Sequence, residues 1–181
     1  MFLGCVAGVK VRISESISKG DKNEKKTLIK YILRPFSHWF TNCYMANSID
    51  CGIWQFGKKT YDRGKVNIFK TVIDANANAF NAKLREDTRK EFGWENKIVY
   101  GFIGRYVPQK NPLFLIDIFN EIAKKQENAI LVMIGFGELE NEMHDRIESY
   151  GVTDKVIDLG RRDDIKQFYN AFDAFLLPSL Y

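Results

Sequence analysis

Cysteine and histidine are both scarce in this chain of 181 residues, which carries three of the former and two of the latter. Cys5, Cys43 and Cys51 are odd in number and form no C-x-x-C pair, so neither a disulfide framework nor a zinc site is expected. Isolated thiols fit a reducing compartment and are read as small buried apolar residues. No apolar run is long enough to cross a bilayer. The apolar start Met1–Val9 lacks a basic leader and soon meets Lys10 and Arg12, which argues against a signal peptide and for a cytoplasmic protein. No clustered His/Asp/Asp set occurs, so no metal is expected, and no local context supports a Ser–His–Asp or Cys–His arrangement. A Walker loop and a G-x-G-x-x-G fingerprint are also missing. The formal charge is only +4, with the Lys/Arg excess concentrated before residue 71, so no nucleic-acid signature covers the chain as a whole.

Aromatic residues are plentiful at 14% of the chain, enough to fill a core. The most informative stretch is Ile98–Pro112, IVYGFIGRYVPQKNP. A β-branched and aromatic run gives way to Gly104 and Arg105, then a loop carrying Lys110, then Asn111-Pro112 as N-cap and first helical position. Leu113, Phe114, Ile116, Ile118, Phe119 and Ile122 follow at helical spacing. Strand, glycine turn with two cations, then helix is the order that builds an anion site at the carboxyl end of a parallel strand. The alternative is that Gly104 only turns the chain and both cations are solvated.

Upstream, Val9–Ile13 alternates like a strand, and Ser14–Glu24 reads as a polar loop containing Gly20-Asp21. Lys25–Phe40 reads as a basic, aromatic helix. Leu28, Ile32, Phe36 and Trp39 mark one face, widened by Ile29, Leu33 and Phe40; Lys25, Lys26, Lys30 and Arg34 lie largely on the other. Pro35 is expected to kink or split it. Such a helix is either a core element with a wet basic side or a contact for an anionic membrane. Tyr44–Ala46 reads as a strand, Asn47-Ser48 as a cap for a helix through Phe56, Gly57 as its end, and Lys58, Lys59 and Arg63 as a turn. Val66–Ile73 is a further strand, and Asp74–Ala82 a linker anchored by Phe80. Leu84–Phe92 is a short helix. The boundary divides the chain into residues 1–75 and 76–181.

Beyond Lys97 the rhythm is regular. Strands Ile98–Ile103, Ala129–Ile134, Lys155–Leu159 and Ala174–Leu177 alternate with helices Leu113–Gln126, Leu139–Ser149 and Asp164–Ala171. That pattern specifies an α/β fold, a Rossmann-like parallel sheet covered on both faces. Right-handed crossovers bring Gly104–Lys110, Gly135–Gly137, Gly160–Asp164 and Pro178–Ser179 to one edge. The last strand has no helix after it, and the first seventy-odd residues contain strand–helix pieces but too few to close a sheet of their own. The chain therefore reads as truncated at both ends. His144 reads as part of a solvated charged face, His38 as packed among aromatics, and Glu138 and Asp163-Asp164 as groups favouring helix N-termini.

GRYVPQKN at Gly104–Asn111, NAILVMIGFGELENEM at Asn128–Met143 and DKVIDLGRRDDIKQFYNAFDAFLLPS at Asp154–Ser179 together resemble a retaining glycosyltransferase of family 4 (glycosyl transferases group 1), with the GT-B fold. The closest likeness is to bacterial enzymes of capsule and exopolysaccharide biosynthesis. More loosely, VKVRISES and YMANSIDCGIWQFGKK resemble the end of that family's acceptor-side domain. The resemblance implies that Arg105 and Lys110 hold the diphosphate of a nucleotide-sugar donor and stabilise it as leaving group, beside Gly104. Gly135 and Gly137 would let backbone approach the donor, Gly160 and Arg161 would lie near its base, and Pro178 and Ser179 would lead into the sugar and ribose loop. The acceptor would be a saccharide or a lipid-linked saccharide, and no cofactor would be needed. Phe136 stands where the family more often has Asp. The family's glutamate pair would fall after Tyr181, which implies that these residues alone are inactive. The alternatives are a non-catalytic nucleotide-sugar-binding or assembly module, and a doubly wound regulatory domain for another phosphorylated ligand.

Overall fold

In the computed structural model, which describes residues 2–19, 27–70 and 72–180, the chain divides after Asp74 into two units, each with its own parallel sheet. The first contains α1 (Phe2–Val6), β1 (Ile13–Ser16), α2 (Thr27–Trp39), β2 (Cys43–Ala46), α3 (Ile49–Phe56), α4 (Lys58–Asp62) and β3 (Val66–Ile68), with sheet order β1-β2-β3. Its core is small: Ala46, Cys51, Phe56 and Val66.

Several expectations shift here for local reasons. Val9–Ile13 is not a strand; pairing begins only at Ile13. The Asn42 side chain accepts from the Arg12 N–H (2.8 Å) and donates to the Lys10 carbonyl (2.6 Å), occupying backbone groups a ladder would have used. The expected loop at Ser14–Glu24 gives up its first residues to β1, while Gly20-Asp21 lie outside the described residues. Cys5 is exposed rather than buried. Helix α2 runs through Pro35 as one element. Contacts on both sides of the proline hold it against the usual loss of about 3 kcal/mol. Tyr31 meets Trp54 edge to face (6.0 Å), Arg34 donates to the Gln55 carbonyl (2.9 Å), and His38 packs on Tyr44 and Phe56.

Arg34 and His38 thus face the unit, whereas Ile29, Ile32, Leu33, Phe36 and Trp39 are exposed. Lys25 and Lys26 lie outside the described residues. Ser48 caps α3 by accepting from the Cys51 N–H, and Gly57, at φ 84°, closes it. The segment after Gly57 is helix α4, not a turn, with Lys58 and Asp62 paired at 2.9 Å. Strand β3 stops at Ile68, and Thr71 of the longer strand expected there lies outside the described residues.

The second unit contains α5 (Ala82–Glu91), β4 (Ile98–Ile103), α6 (Pro112–Ala123), β5 (Ala129–Ile134), α7 (Glu140–Ser149), β6 (Val156–Asp158), α8 (Ile165–Ala171) and β7 (Ala174–Phe175). All pairings are parallel, in the order β6-β5-β4-β7. Every residue of β5 is buried. Ala129, Leu131 and Met133 join Leu115, Phe119 and Met143 from α6 and α7 on one face. Ile130, Val132 and Ile134 join Trp94, Phe168 and Phe172 on the other. Period-two alternation of apolar residues on both faces is what a doubly covered parallel strand needs. Gly101 in β4 is required by packing, since a Cβ there would stand 2.0 Å from the Phe172 ring.

Phe80, expected to anchor the linker, is 70% exposed. The anchor is Asn81, whose N–H donates to Asn170 (2.7 Å) and whose side chain caps α5 through the Leu84 N–H (2.9 Å). A larger omission in the sequence reading is a clamp of two arginines. Arg89, only 8% exposed, donates to the Ala171 carbonyl (2.8 Å) and to Asp173 (3.0 Å). Arg85 donates to the carbonyls of Asn170, Ala171 and Phe172 and pairs with Asp173. Asp173 also accepts the Val99 N–H at 2.8 Å, tying the end of α8 to β4. Partial burial alone would raise its carboxyl, but the Val99 N–H and both arginines outweigh that and hold it below the ordinary value.

Removing Arg89 strands buried acceptors, so Arg89→Ala is expected to lose on the order of 3 kcal/mol in chemical denaturation. A loss within error of zero contradicts the clamp. Because the Asp173 pKa is depressed on folding, its contribution is fully present above the unfolded carboxylate value and fades as pH falls through the lower folded one. Asp173→Asn should accordingly flatten the acid limb of the stability curve below about pH 4.

Candidate functional site

The carboxyl ends of β4, β5 and β6 are stitched together by backbone hydrogen bonds. Gly104 N–H donates to Ile134 (3.0 Å), Tyr106 N–H to Phe136 (2.8 Å), Leu139 N–H to Tyr106 (3.1 Å) and Gly135 N–H to Gly160 (2.9 Å). Close approach of the loops depends on missing side chains. A Cβ on Gly135 would lie 1.9 Å from the Gly104 carbonyl oxygen, and one on Gly137 2.3 Å from that of Tyr106. Gly160 adopts φ 61° and donates to Asp158 Oδ1 (2.9 Å), which also accepts from the Tyr106 hydroxyl (2.8 Å). Tyr106 is fully buried; that burial and the neighbouring Asp158 push its hydroxyl far above the ordinary range, so it stays a neutral donor.

A cavity of about 390 Å³ opens over these loops, walled by Gly104, Arg105, Gly135, Phe136, Arg161 and Arg162 with Ile residues behind them. The three arginines differ. Arg162 is committed to Asp164 by two bonds (2.8 and 2.6 Å) and lies over Phe168 (5.0 Å). Arg161 is exposed and rests over the Phe136 ring, 5.7 Å from its centroid. Arg105 is exposed and meets no carboxylate among the described residues. Two guanidinium groups without an acidic partner among the described residues, next to a half-exposed aromatic ring, make a site for a ligand with both negative charge and a flat ring.

Of the residues singled out from the sequence, Gly104, Arg105, Gly135 and Arg161 line this cavity. Gly137 and Gly160 shape it through backbone. Lys110 does not line it; it ends a 3₁₀ turn, Pro108–Lys110, and is half-buried at the start of α6. Asn111 holds the N-cap position in a left-handed conformation (φ 52°), without a side-chain cap bond. Pro178 and Ser179 lie in the extended stretch past β7. That stretch is joined to the Lys110 loop where the Leu180 N–H donates to the Gln109 carbonyl (3.0 Å). Among the described residues the Ser179 hydroxyl is buried without a partner.

Three features escaped the sequence reading. Asp164 caps nothing with its side chain and instead binds Arg162 and Gln167; the R-x-D spacing was the available signal. Asp158 and Tyr106 are 52 residues apart, and only their places at adjoining strand ends could have hinted at the bond between them. His144 is not merely solvated: its Nε2 lies 3.9 Å from Asp158, and with Glu140 the three groups bring ligand-type atoms within 4.8 Å. A larger hollow, about 450 Å³, lies on α6 between Phe114 and Gln126, lined by Asp117 and Glu121 as well as Lys125 and away from the glycine loops.

An open parallel sheet with glycine loops and unpaired cations at its carboxyl edge is the architecture that holds phosphorylated ligands. The family described as "Glycosyl transferases group 1" matches residues 84–181, more than half of the chain, and the chain belongs to it. Over 180 residues it is 26% identical to a protein of Bacillus subtilis (strain 168) named as the glycosyltransferase EpsF, covering 97% of this chain and 47% of that one. It is 33% identical over 89 residues to the Escherichia coli UDP-Gal:alpha-D-GlcNAc-diphosphoundecaprenol alpha-1,3-galactosyltransferase, covering 48% of this chain and 23% of that protein. Among solved structures, Anabaena Alr3699/HepE in complex with UDP-glucose superposes with a TM-score of 0.82 at 20% identity, over 98% of this chain and 49% of that one. At that identity the likeness speaks for the fold. The chain spans about half the length of EpsF and of HepE.

Proposed function

We propose that this chain provides the donor-binding part of a retaining, family 4 glycosyltransferase that moves a sugar from a nucleoside-diphosphate sugar to a saccharide or lipid-linked acceptor during polysaccharide biosynthesis. The observation that carries the reading is Arg105: a guanidinium at the carboxyl edge of the sheet, on a cavity, with no carboxylate partner among the described residues. Departure of a diphosphate builds negative charge on its oxygens, and a preoriented planar fork meets that charge better than water does. Lys110 adds a mobile positive charge from the same loop, just before the N-terminus of α6, whose dipole favours negative charge. In this reading these cations carry the charge without a metal. Gly104, Gly135 and Gly137 keep the loops thin enough for the phosphates to approach, Gly160 and Arg161 stand by the base, and Pro178 and Ser179 by the sugar and ribose. The undecaprenol-linked substrate named for the E. coli relative supports a lipid-linked acceptor.

The proposal extends to a cytoplasmic enzyme resting on an anionic membrane. Residues 1–74 hold thirteen Lys/Arg against six Asp/Glu. Helix α2 exposes Ile29, Ile32, Leu33, Phe36 and Trp39 on one side, and among the described residues no helix is long and apolar enough to cross a bilayer. Basic charge beside an exposed apolar helix face suits interfacial binding.

Arg105→Ala is expected to weaken UDP or GDP binding by about 2–3 kcal/mol in calorimetry, the scale of a charged hydrogen bond. In the complete enzyme it should lower turnover by roughly 2.7–4 kcal/mol, with the product of the unaltered enzyme keeping the donor's anomeric configuration by proton NMR. Near-normal binding and turnover in the variant remove the assignment, and an inverted product removes retention. For the membrane, flotation with vesicles containing phosphatidylglycerol should carry the protein upward at low salt and release it at high salt. Protein left at the bottom of the low-salt gradient ends that part of the proposal.

A further inference from the structure

Phe136 is 52% exposed although it directly follows the fully buried strand β5 by two residues. Its backbone is not free to turn the ring away. Its carbonyl accepts the Tyr106 N–H (2.8 Å), and the glycines on either side are covered by Gly104 and Tyr106. The ring is therefore held out on a fixed stem at the wall of the 390 Å³ cavity that also contains Arg105. Arg161 covers part of it from the neighbouring loop, 5.7 Å from the centroid. That loop is itself pinned, because the Gly160 carbonyl accepts the Gly135 N–H.

We infer that Phe136, with Arg161 over it, is the stacking platform for the nucleobase of the donor, and so a specificity-determining residue of the site. The inference rests on the donor-binding reading above. An aromatic ring and a guanidinium plane are the two protein surfaces on which a base stacks, and the exposed part of the Phe136 ring offers a heterocycle an apolar face. With Arg105 in the same cavity, one ligand can place its base on the ring and its diphosphate on the unpaired guanidinium. Stacking on a bare phenyl ring reads no hydrogen-bond pattern. The ring therefore separates nucleotides from ligands lacking a base far more than it separates uracil from guanine; Arg161, a donor only, favours bases presenting carbonyl oxygens.

The test compares UDP, GDP and inorganic pyrophosphate by calorimetry on the intact chain and on Phe136→Ala, Phe136→Leu and Phe136→Trp. Phe136→Ala and Phe136→Leu should both lose roughly 5- to 150-fold in affinity for UDP and GDP, the span of one lost stacked base, while pyrophosphate binding is unchanged. Phe136→Trp should keep or improve nucleotide affinity. Leucine preserves bulk without a π face, so a loss shared with alanine isolates stacking from packing, and unchanged melting temperatures show that the variants fold. The platform is overturned, with the donor site intact, if UDP binds Phe136→Ala as it binds the unaltered chain while Arg105→Ala still weakens binding. Failure of the unaltered chain to bind any of the three ligands overturns both readings.

Discussion

Three strand-end loops lie so close that two of their α-carbons can carry no side chain. Gly135 sits against the Gly104 carbonyl and Gly137 against that of Tyr106, and the gaps close through N–H groups that reach across from loop to loop. Everything at the carboxyl edge follows from that contact. It fixes where Arg105 leaves β4, where Phe136 leaves β5 and where Arg161 follows Gly160, so groups far apart in sequence share one cavity. Beneath them the buried Tyr106–Asp158 hydrogen bond and the Asp158–Gly160 bond hold the β6 loop to the β4 loop. Rigid support of this kind lets exposed charges keep a geometry without partners of their own, which an anion site requires.

Arginine has opposite fates within this one unit. Arg89 and Arg85 are absorbed by carbonyls and Asp173 and bind the end of α8 to β4; Arg162 is taken by Asp164. Among the described residues only Arg105 and Arg161 of these five remain without a carboxylate. It is the pattern of pairing, not the number of cations, that marks where a phosphate can sit.

The sheet of the second unit was legible because its strands are short, apolar and evenly spaced, and β5 alternates its six side chains between two cores. The glycine loops were legible for the same reason, since each follows a strand. What escaped were interactions between residues distant in sequence. Arg89 looked like one more charge on a polar helix, Asp158 like a strand end, and His144 like part of a wet face. In the first unit, Val9–Ile13 has strand periodicity but loses its ladder to a single asparagine side chain, which no periodicity reports. Helix α2 shows the converse: its apolar stripe was clear, yet the unit packs on the side bearing Arg34 and His38.

The central claim is that the stitched loops form one binding site for a nucleoside diphosphate. Titrating UDP into isotope-labelled protein and following backbone amide shifts tests it most directly. Saturable shifts should cluster at Gly104, Arg105, Gly135, Phe136, Gly160 and Arg161. Saturable shifts that gather instead around Phe114 and Tyr150, on the surfaces of α6 and beyond α7, or that never saturate at the loops, would contradict the account.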